Sequence, residues 1–373
     1  MSNGSLIIVG MSGGVDSSVT AWLLQQQGYR VEGLFMKNWE DDDSDTHCSA
    51  EADHADARRV ADQLGIPLHR ANFARHYRSR VFEHCLEEFR AGRTPNPDIL
   101  CNQHIKFRAF LDHARRLGAD RVATGHYAGV SGPPGQRKLR RARDAAKDQT
   151  YFLYALDQEQ LEAAMFPLAD FTKTEVRGMA DQAGFANHDK PDSTGICFIG
   201  ERDFREFLGR YIAATPGAVV SVDGEPVGQH TGLAFYTIGQ RRGLALGGRA
   251  DRPGLPWYVV DKDMDRNQLV VAQGHDHPAL MSRGLVAGDW HWIDGGGPTQ
   301  SIRCTMRLRH RQTEQPAVLH PLPDGRWRLD FDEPQRAVTP GQSVVVYDQT
   351  GCLGGGVIEE RLAVQEASRA GVA

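Results

Sequence analysis

No run in the 373 residues approaches the ~18 consecutive apolar residues that a membrane-spanning helix needs. No Cys-x-x-Cys pair occurs either, which argues against a zinc ribbon or an iron–sulfur cluster held by cysteines alone. The 6 cysteines stand at 48, 85, 101, 197, 304 and 352, too sparse for a disulfide framework in a chain of this size. Positive charge is not in excess: 43 Lys and Arg face 48 Asp and Glu, a net −5. That balance excludes a uniformly basic nucleic-acid coat but leaves room for a local basic face. Met1 to Gly10 lacks a basic stretch followed by an apolar stretch and a cleavage site, so a signal peptide is not expected and a cytoplasmic location is. No internal repeat is visible. What remains, with 40% hydrophobic and 24% charged residues, is an ordinary soluble globular chain long enough for two or three domains.

The first half alternates strands and helices. Leu6–Val9 and Val31–Met36 read as strands, as do Leu68–Phe73 and Arg121–Thr124, with helical patterns at about 50–64, 78–89 and 107–117 between them. This rhythm predicts an α/β fold, a doubly wound parallel sheet whose ligands lie at the C-terminal strand ends. After residue 200 the pattern changes. One helix is expected at 204–212, then short β-rich runs at 218–222, 257–260, 269–272, 302–308, 327–331 and 343–347, with turns at Asp223-Gly224 and Asp324-Gly325. The expected domains are 1–203, with the parallel sheet; 204–272, small, central and mixed α+β; and 275–363, a β-barrel.

Gly10-Met11-Ser12-Gly13-Gly14-Val15-Asp16-Ser17-Ser18 follows the first strand and opens a helix. Glycines let backbone N–H groups converge on an anion, Ser12 and Ser17 add hydroxyl donors, and the helix N-terminus supplies positive potential. A Walker A loop would end in Gly-Lys-Ser/Thr, and that lysine is missing. The string Ser-Gly-Gly-Val-Asp-Ser-Ser resembles the loop of the ATP pyrophosphatase (PP-loop) family. The resemblance implies cleavage of ATP between its α and β phosphates, an adenine nucleotide alpha hydrolase-like sheet, ATP contacts from Gly10 through Ser17 and from Met36 and Gly125, and a magnesium ion on Asp16.

Two cysteines narrow the acceptor. Cys101 follows Thr94-Pro95-Asn96-Pro97-Asp98, a rigid stretch that places the thiol near the start of a helix, where N–H groups favour a thiolate. Cys197 lies in Asp192-Ser193-Thr194-Gly195-Ile196-Cys197, rich in small hydroxylated residues. A further marker, Thr124-Gly125-His126-Tyr127, falls at the C-terminal end of the fourth strand. With Lys147-Asp148-Gln149-Thr150-Tyr151-Phe152-Leu153 and Gly351-Cys352-Leu353-Gly354-Gly355-Gly356, these segments resemble the bacterial tRNA-specific 2-thiouridylases over nearly the whole chain.

The resemblance implies ATP-dependent 2-thiolation of the wobble uridine U34, through adenylation of the base O2, to give the thiolated base, AMP and pyrophosphate. It implies a persulfide on Cys197 loaded by a sulfur-carrier protein, Cys101 as its partner through a transient disulfide, and Asp98 assisting proton transfer or orienting the base. It also implies tRNA contacts from Asn96, Pro97, Asp98, His126, Lys147, Asp148, Gln149, Arg309, His310 and Gln342, with tRNAs for Glu, Gln and Lys as substrates. ATP and Mg2+ are the expected cofactors, with no tightly bound metal, no iron–sulfur cluster and no membrane partner. The chemistry needs these groups: a uracil oxygen leaves only once activated, and a persulfide yields its sulfur to a second thiol's attack.

An RNA substrate requires Lys and Arg. Three clusters offer them: Arg137-Lys138-Leu139-Arg140-Arg141-Ala142-Arg143; Arg303, Arg307, Arg309, His310 and Arg311, the arginines expected on one face of a strand; and Arg241-Arg242. Cys48, Cys85, Cys304 and Cys352 read as packing residues, and His47, Cys48, Glu51, His54 and Asp56 as ordinary surface rather than a metal site. Two other functions remain open on the residues alone: a small-molecule PP-loop ligase of the amide or argininosuccinate synthetase type, which would not need the two cysteines, and a non-catalytic RNA-binding protein with a relic loop.

Overall fold

The computed structural model describes residues 4–40, 49–192, 204–247 and 254–364. Strand β1 (Leu6–Gly10) carries Ile7, Ile8 and Val9 with no solvent exposure. A run this apolar suits a parallel strand covered on both faces. α1 (Val15–Gln26), β2 (Arg30–Lys37), α2 (Ser49–Leu64) and β3 (Leu68–Asn72) complete the first crossovers. Two helical rods follow. The first runs α3 (Ala74–Tyr77), a π-helical turn over Arg78–Phe82, then α4 (Glu83–Arg90). The second runs α5 (Pro97–Leu100), a π-helical stretch over Cys101–Ala109, then α6 (Phe110–Arg116). The expected helix at 78–89 covers the first rod's π turn and misses only its opening turn, whereas the sequence pattern marks the second rod only from 107, after most of its π stretch, where the wider turns break the 3.6-residue periodicity.

After β4 (Arg121–Ala123) come a hairpin of β5 (Gly129–Ser131) and β6 (Lys138–Arg140), α7 (Gln158–Ala163), β7 (Ala164–Met165), α8 (Lys173–Gln182) and α9 (Phe204–Gly209). The first sheet has the order β3-β2-β1-β4-β7, with every pairing parallel. The strand order reverses between β1 and β4, so a crevice opens there at the C-terminal strand ends. β8 (Gly217–Ser221), β9 (Pro226–His230), β10 (Trp257–Asp263) and β11 (Gln268–Gln273) form a separate four-stranded sheet. β12 (Met281–Trp292), β13 (Ile302–Arg307), β14 (Gln315–Pro321), β15 (Trp327–Arg336), β16 (Ser343–Tyr347) and β17 (Cys352–Ala363) run β12-β15-β14-β13-β16-β17, and β17 pairs back with β12. That closes a six-stranded antiparallel barrel and leaves no free edge. Gly224 and Gly325 turn two of the hairpins with φ of 85° each, as the Asp-Gly pairs predict.

The β5–β6 hairpin does not join the parallel sheet. Leu139 pairs with Cys352, so the hairpin extends the barrel sheet from β17. This seam decides what the basic run on β6 can do.

Candidate active site

The phosphate loop leaves β1 at the crevice. Gly13 holds φ of 76°, and a Cβ there would overlap the backbone carbonyl of Asp53. Its own carbonyl accepts from Asn187 Nδ2 at 3.0 Å and Lys190 Nζ at 3.4 Å. Lys190 is held in turn by Asp53 at 2.7 Å and Asp56 at 2.5 Å. Ser12 and Ser17 place their hydroxyls 3.3 Å apart. Gly14 caps α1 without a side-chain hydrogen bond, so the first-turn N–H groups remain for an anion. Gly125, just past β4, packs so close that a Cβ would lie 2.9 Å from Asp16 and 3.0 Å from the Ser17 nitrogen. The two strand ends flanking the crevice thus meet at the loop, and glycine is what lets them. Met11 and Val15 are buried, so only their backbones can face a ligand. Met36, near the end of β2, is half-buried against the core.

Asp16 is held from two sides. Lys173, the first residue of α8, donates to both carboxylate oxygens at 2.8 and 2.9 Å, and Tyr127 donates its hydroxyl at 2.9 Å. Burial, then the Asp16 charge, pushes the Tyr127 phenol far above its ordinary value, so it stays a donor. A magnesium ion on Asp16 would require Lys173 to give way. Among the described residues no group of three or more His, Cys, Asp or Glu is placed to hold a metal ion. Lys173 also bonds Asp192 at 2.6 Å, and Asp192 accepts from Lys147 at 2.7 Å. Burial raises the Asp192 carboxyl, but the bonds from Lys147 and Lys173 outweigh it and hold it down to about 2.

Cys101 is fully buried in the core beneath the parallel sheet. Asn96 caps α5 by accepting from the Asp98 nitrogen at 3.2 Å, and Pro97 takes the first helical position. The thiol therefore lies just past the first turn, at the start of the π stretch, rather than at the free N–H groups. Asp98 lies one turn before it on the same face. The loop before Asn96 is clamped by the barrel: Gln342 Nε2 donates to the carbonyls of Thr94 at 2.8 Å and Pro95 at 3.3 Å. Cys197 and Cys48 lie outside the described residues.

Comparison with known proteins fits this architecture. Residues 5–201 match the family profile described as tRNA methyl transferase HUP domain, 205–273 a tRNA methyl transferase PRC-barrel domain, and 282–358 an aminomethyltransferase beta-barrel domain. The tRNA-specific 2-thiouridylase MnmA of Alkalilimnicola ehrlichii is 60% identical over 96% of this chain and 98% of its own. The MnmA of Salmonella typhimurium is 57% identical over 95% and 97%. The chain belongs to the MnmA family. A solved U34-tRNA thiolase, NcsA from Methanococcus maripaludis, covers 56% of this chain and 65% of its own at 15% identity and a TM-score of 0.36. A likeness that weak adds nothing to the assignment.

The residues expected to touch RNA fall into two groups in this family member. Asp148 is 2% exposed and bonds Arg307 at 3.0 Å, Thr150 at 2.5 Å and the Ala142 nitrogen at 2.7 Å. Gln149 brackets Tyr127, its side-chain oxygen and backbone nitrogen holding the Tyr127 nitrogen and oxygen at 2.9 and 2.8 Å. His126 is buried between Phe107 and Phe166, bonded to Thr124, and burial holds its imidazole well below the ordinary value and so neutral. His310 donates its Nε2–H to the Asp148 carbonyl, 2.9 Å away, and rests on Phe152. Arg309 keeps an exposed side while bonding the carbonyls of Ile238 and Ala337 at 3.4 and 3.2 Å.

The basic clusters are less available than their sequence suggests. Arg137 pairs with Glu162, Arg140 with Asp170, Arg141 with Glu314 and Arg143 with Glu175. The single strand face expected for Arg303, Arg307, Arg309 and Arg311 does not form. β13 ends at Arg307, which turns inward to Asp148 and Glu314. Cys85 and Cys304 are buried and pushed up to about 12, and burial raises Cys352 as well, as inert packing thiols should be. Sequence reasoning missed Lys173 and Asp192 as parts of the site. Thr172 and Glu175 signal a capping box that starts α8, but only the fold aims its first residue at Asp16.

Proposed function

We propose that this chain thiolates tRNA, using ATP to replace O2 of the wobble uridine U34 by sulfur. The likeness to a 2-thiouridylase over 96% of the chain carries this reading. The phosphate loop at the β1–β4 switch supports it. In this reading the loop and the α1 N-terminus hold the triphosphate, and the uridine O2 attacks the α phosphate, releasing pyrophosphate and leaving an adenylated base. Magnesium would neutralise phosphate charge beside Asp16. The terminal sulfur of a Cys197 persulfide then bonds to C2 and AMP departs with the oxygen. Attack of the Cys101 thiolate on the Cys197 sulfur breaks the S–S bond, leaves the sulfur on the base and forms a Cys101–Cys197 disulfide. An external thiol reductant reopens that disulfide, and a persulfide donor reloads Cys197. Asp98, one turn from Cys101, orients the base or takes its proton.

In the same reading residues 1–203 carry the chemistry, 204–272 connect, and the barrel at 275–363 meets RNA through Arg309 and His310. Buried Asp148 and bracketing Gln149 position neighbours rather than touch phosphate, and Gln342 fixes the segment that presents Asn96, Pro97 and Asp98. Incubation with ATP, magnesium, a persulfide donor, a thiol reductant and unmodified tRNA tests the reading. AMP formation should depend on tRNA, and digested nucleosides should contain 2-thiouridine. AMP formed without tRNA and with a small-molecule acceptor would instead assign a ligase.

A further inference from the structure

Cys101 opens the π stretch of the second rod. Its own N–H still reaches back four residues to Pro97, as in an α-helix, whereas the N–H of Phe110 at the far end reaches five residues back to Ile105. Turns this wide are rare and persist where the surroundings over-determine them. Two side-chain amides do so here. Gln160, the third residue of α7 and 2% exposed, donates both Nε2 hydrogens, to the carbonyls of Gln103 and Phe107 at 3.0 Å each. Its Oε1 accepts from the Asp157 nitrogen at 3.0 Å, so the amide is fully used. Asn102, next to Cys101 and equally buried, donates Nδ2 to the Phe152 carbonyl at 3.0 Å. Its Oδ1 is buried without a partner. Turning that amide over would set oxygen against oxygen, so the group stays half-satisfied, a cost that packing alone gives no reason to keep.

Relaxing the stretch to α-helical turns would rotate Cys101 against the remainder of the rod by one residue position, on the order of 100°. The thiol is fully buried, so the turns that carry it decide where its sulfur lies. We propose that Gln160 and Asn102 are positioning residues for Cys101: they hold the π stretch and thereby set the direction from which the thiol meets the Cys197 persulfide. This rests on the reading of Cys101 as the thiol that frees the sulfur. Adenylation of the base does not use Cys101, so the two halves of the reaction should respond differently.

The test is a single turnover with full-length, persulfide-loaded protein in excess over unmodified tRNA, with ATP and magnesium, following pyrophosphate release and 2-thiouridine separately. Gln160→Met should slow 2-thiouridine formation by roughly 100-fold and leave pyrophosphate release and tRNA affinity as in the wild type. Asp157→Ala, which removes the side-chain cap of α7 but neither amide, should lower stability and change neither rate. Should Gln160→Met lose its cooperative urea transition, Asn102→Ala, which takes away one donor only, carries the same expectation with a smaller loss. Pyrophosphate release falling in step with 2-thiouridine, no loss in either variant, or the same split in Asp157→Ala would each overturn the positioning role. A Cys101→Ser protein that thiolates fully removes the reading of Cys101 itself. An inactive Cys101→Ser beside fully active Gln160→Met and Asn102→Ala removes only the role of the amides.

Discussion

The basic run on β6 and the cation cluster at the phosphate loop look alike in sequence and differ in the fold. In the run 137–143 each arginine meets a carboxylate, and Arg141 shares Glu314 with Arg307 while both sit over the Tyr347 ring, 4.9 and 5.0 Å from its centre. Around Asp192 three cations, Lys147, Lys173 and Arg177, share one carboxylate beside an anion-binding loop. The first arrangement is mortar between the hairpin and the barrel. The second is suited to a ligand. A count of Lys and Arg cannot tell them apart, whereas pairing can.

Variants on the two sides should break in different ways. Gly13→Ala puts a Cβ into the Asp53 carbonyl at a positive φ, so ATP-dependent AMP formation should fall by about 100-fold or more, read as kcat/KM, while the barrel's urea transition is kept. On the seam, Asp148→Ala leaves the buried Arg307 to share Glu314 with Arg141 and should cost about 3 kcal/mol by urea denaturation, with loss of thiolation following loss of fold. Arg309→Gln keeps a donor but removes a partly exposed charge. tRNA affinity should weaken and the slope of log affinity against log salt should shrink by about 1, and an unchanged slope would remove the barrel loop from the RNA path. The smallest effect belongs to Arg137→Ala. Its pair with Glu162 lies near the surface, so stability should change by no more than about 1 kcal/mol and tRNA affinity should not move.

A pH test concerns the junction between the central sheet and the loop after α4. Lys262 donates to the Gly92 carbonyl at 2.9 Å, and burial lowers its ammonium to about 8, opposed by Asp261. The unfolded chain, with an ordinary lysine, binds the extra proton between that value and the model-peptide range near 10.4. Stability should therefore rise with pH through this window, and Lys262→Met should flatten the rise in urea titrations.

What was legible in the sequence was local. Four apolar runs give β1 to β4, and a glycine-rich string between strand and helix gives the phosphate loop. The Asp-Gly turns and Pro97 behind its Asn96 cap are set by near neighbours as well. What was not legible depends on partners far along the chain. Arg141 meets Glu314 across 173 positions, and Lys173 meets Asp16 across 157. Arg307 was expected beside Arg309 and Arg311 on one strand face, but β13 ends at Arg307 and a buried carboxylate draws it inward. Cys101 falls near the helix start as expected, just past the turn that the Asn96 cap and Pro97 open, but its burial in the core was not legible. The phosphate loop could be read from sequence, but Lys173, Asp192 and the pairing of the charges around them could not.

The central claim is tested most directly by nucleoside analysis of unmodified tRNA after incubation with the protein, ATP, magnesium, a persulfide donor and a thiol reductant, with AMP counted in parallel. The account predicts one 2-thiouridine per tRNA with matching AMP, none without ATP, and none with Cys101→Ser or Cys197→Ser although both variants still bind ATP. Full thiolation by either cysteine variant would contradict the two-cysteine chemistry, and AMP formation indifferent to tRNA would contradict the assignment itself.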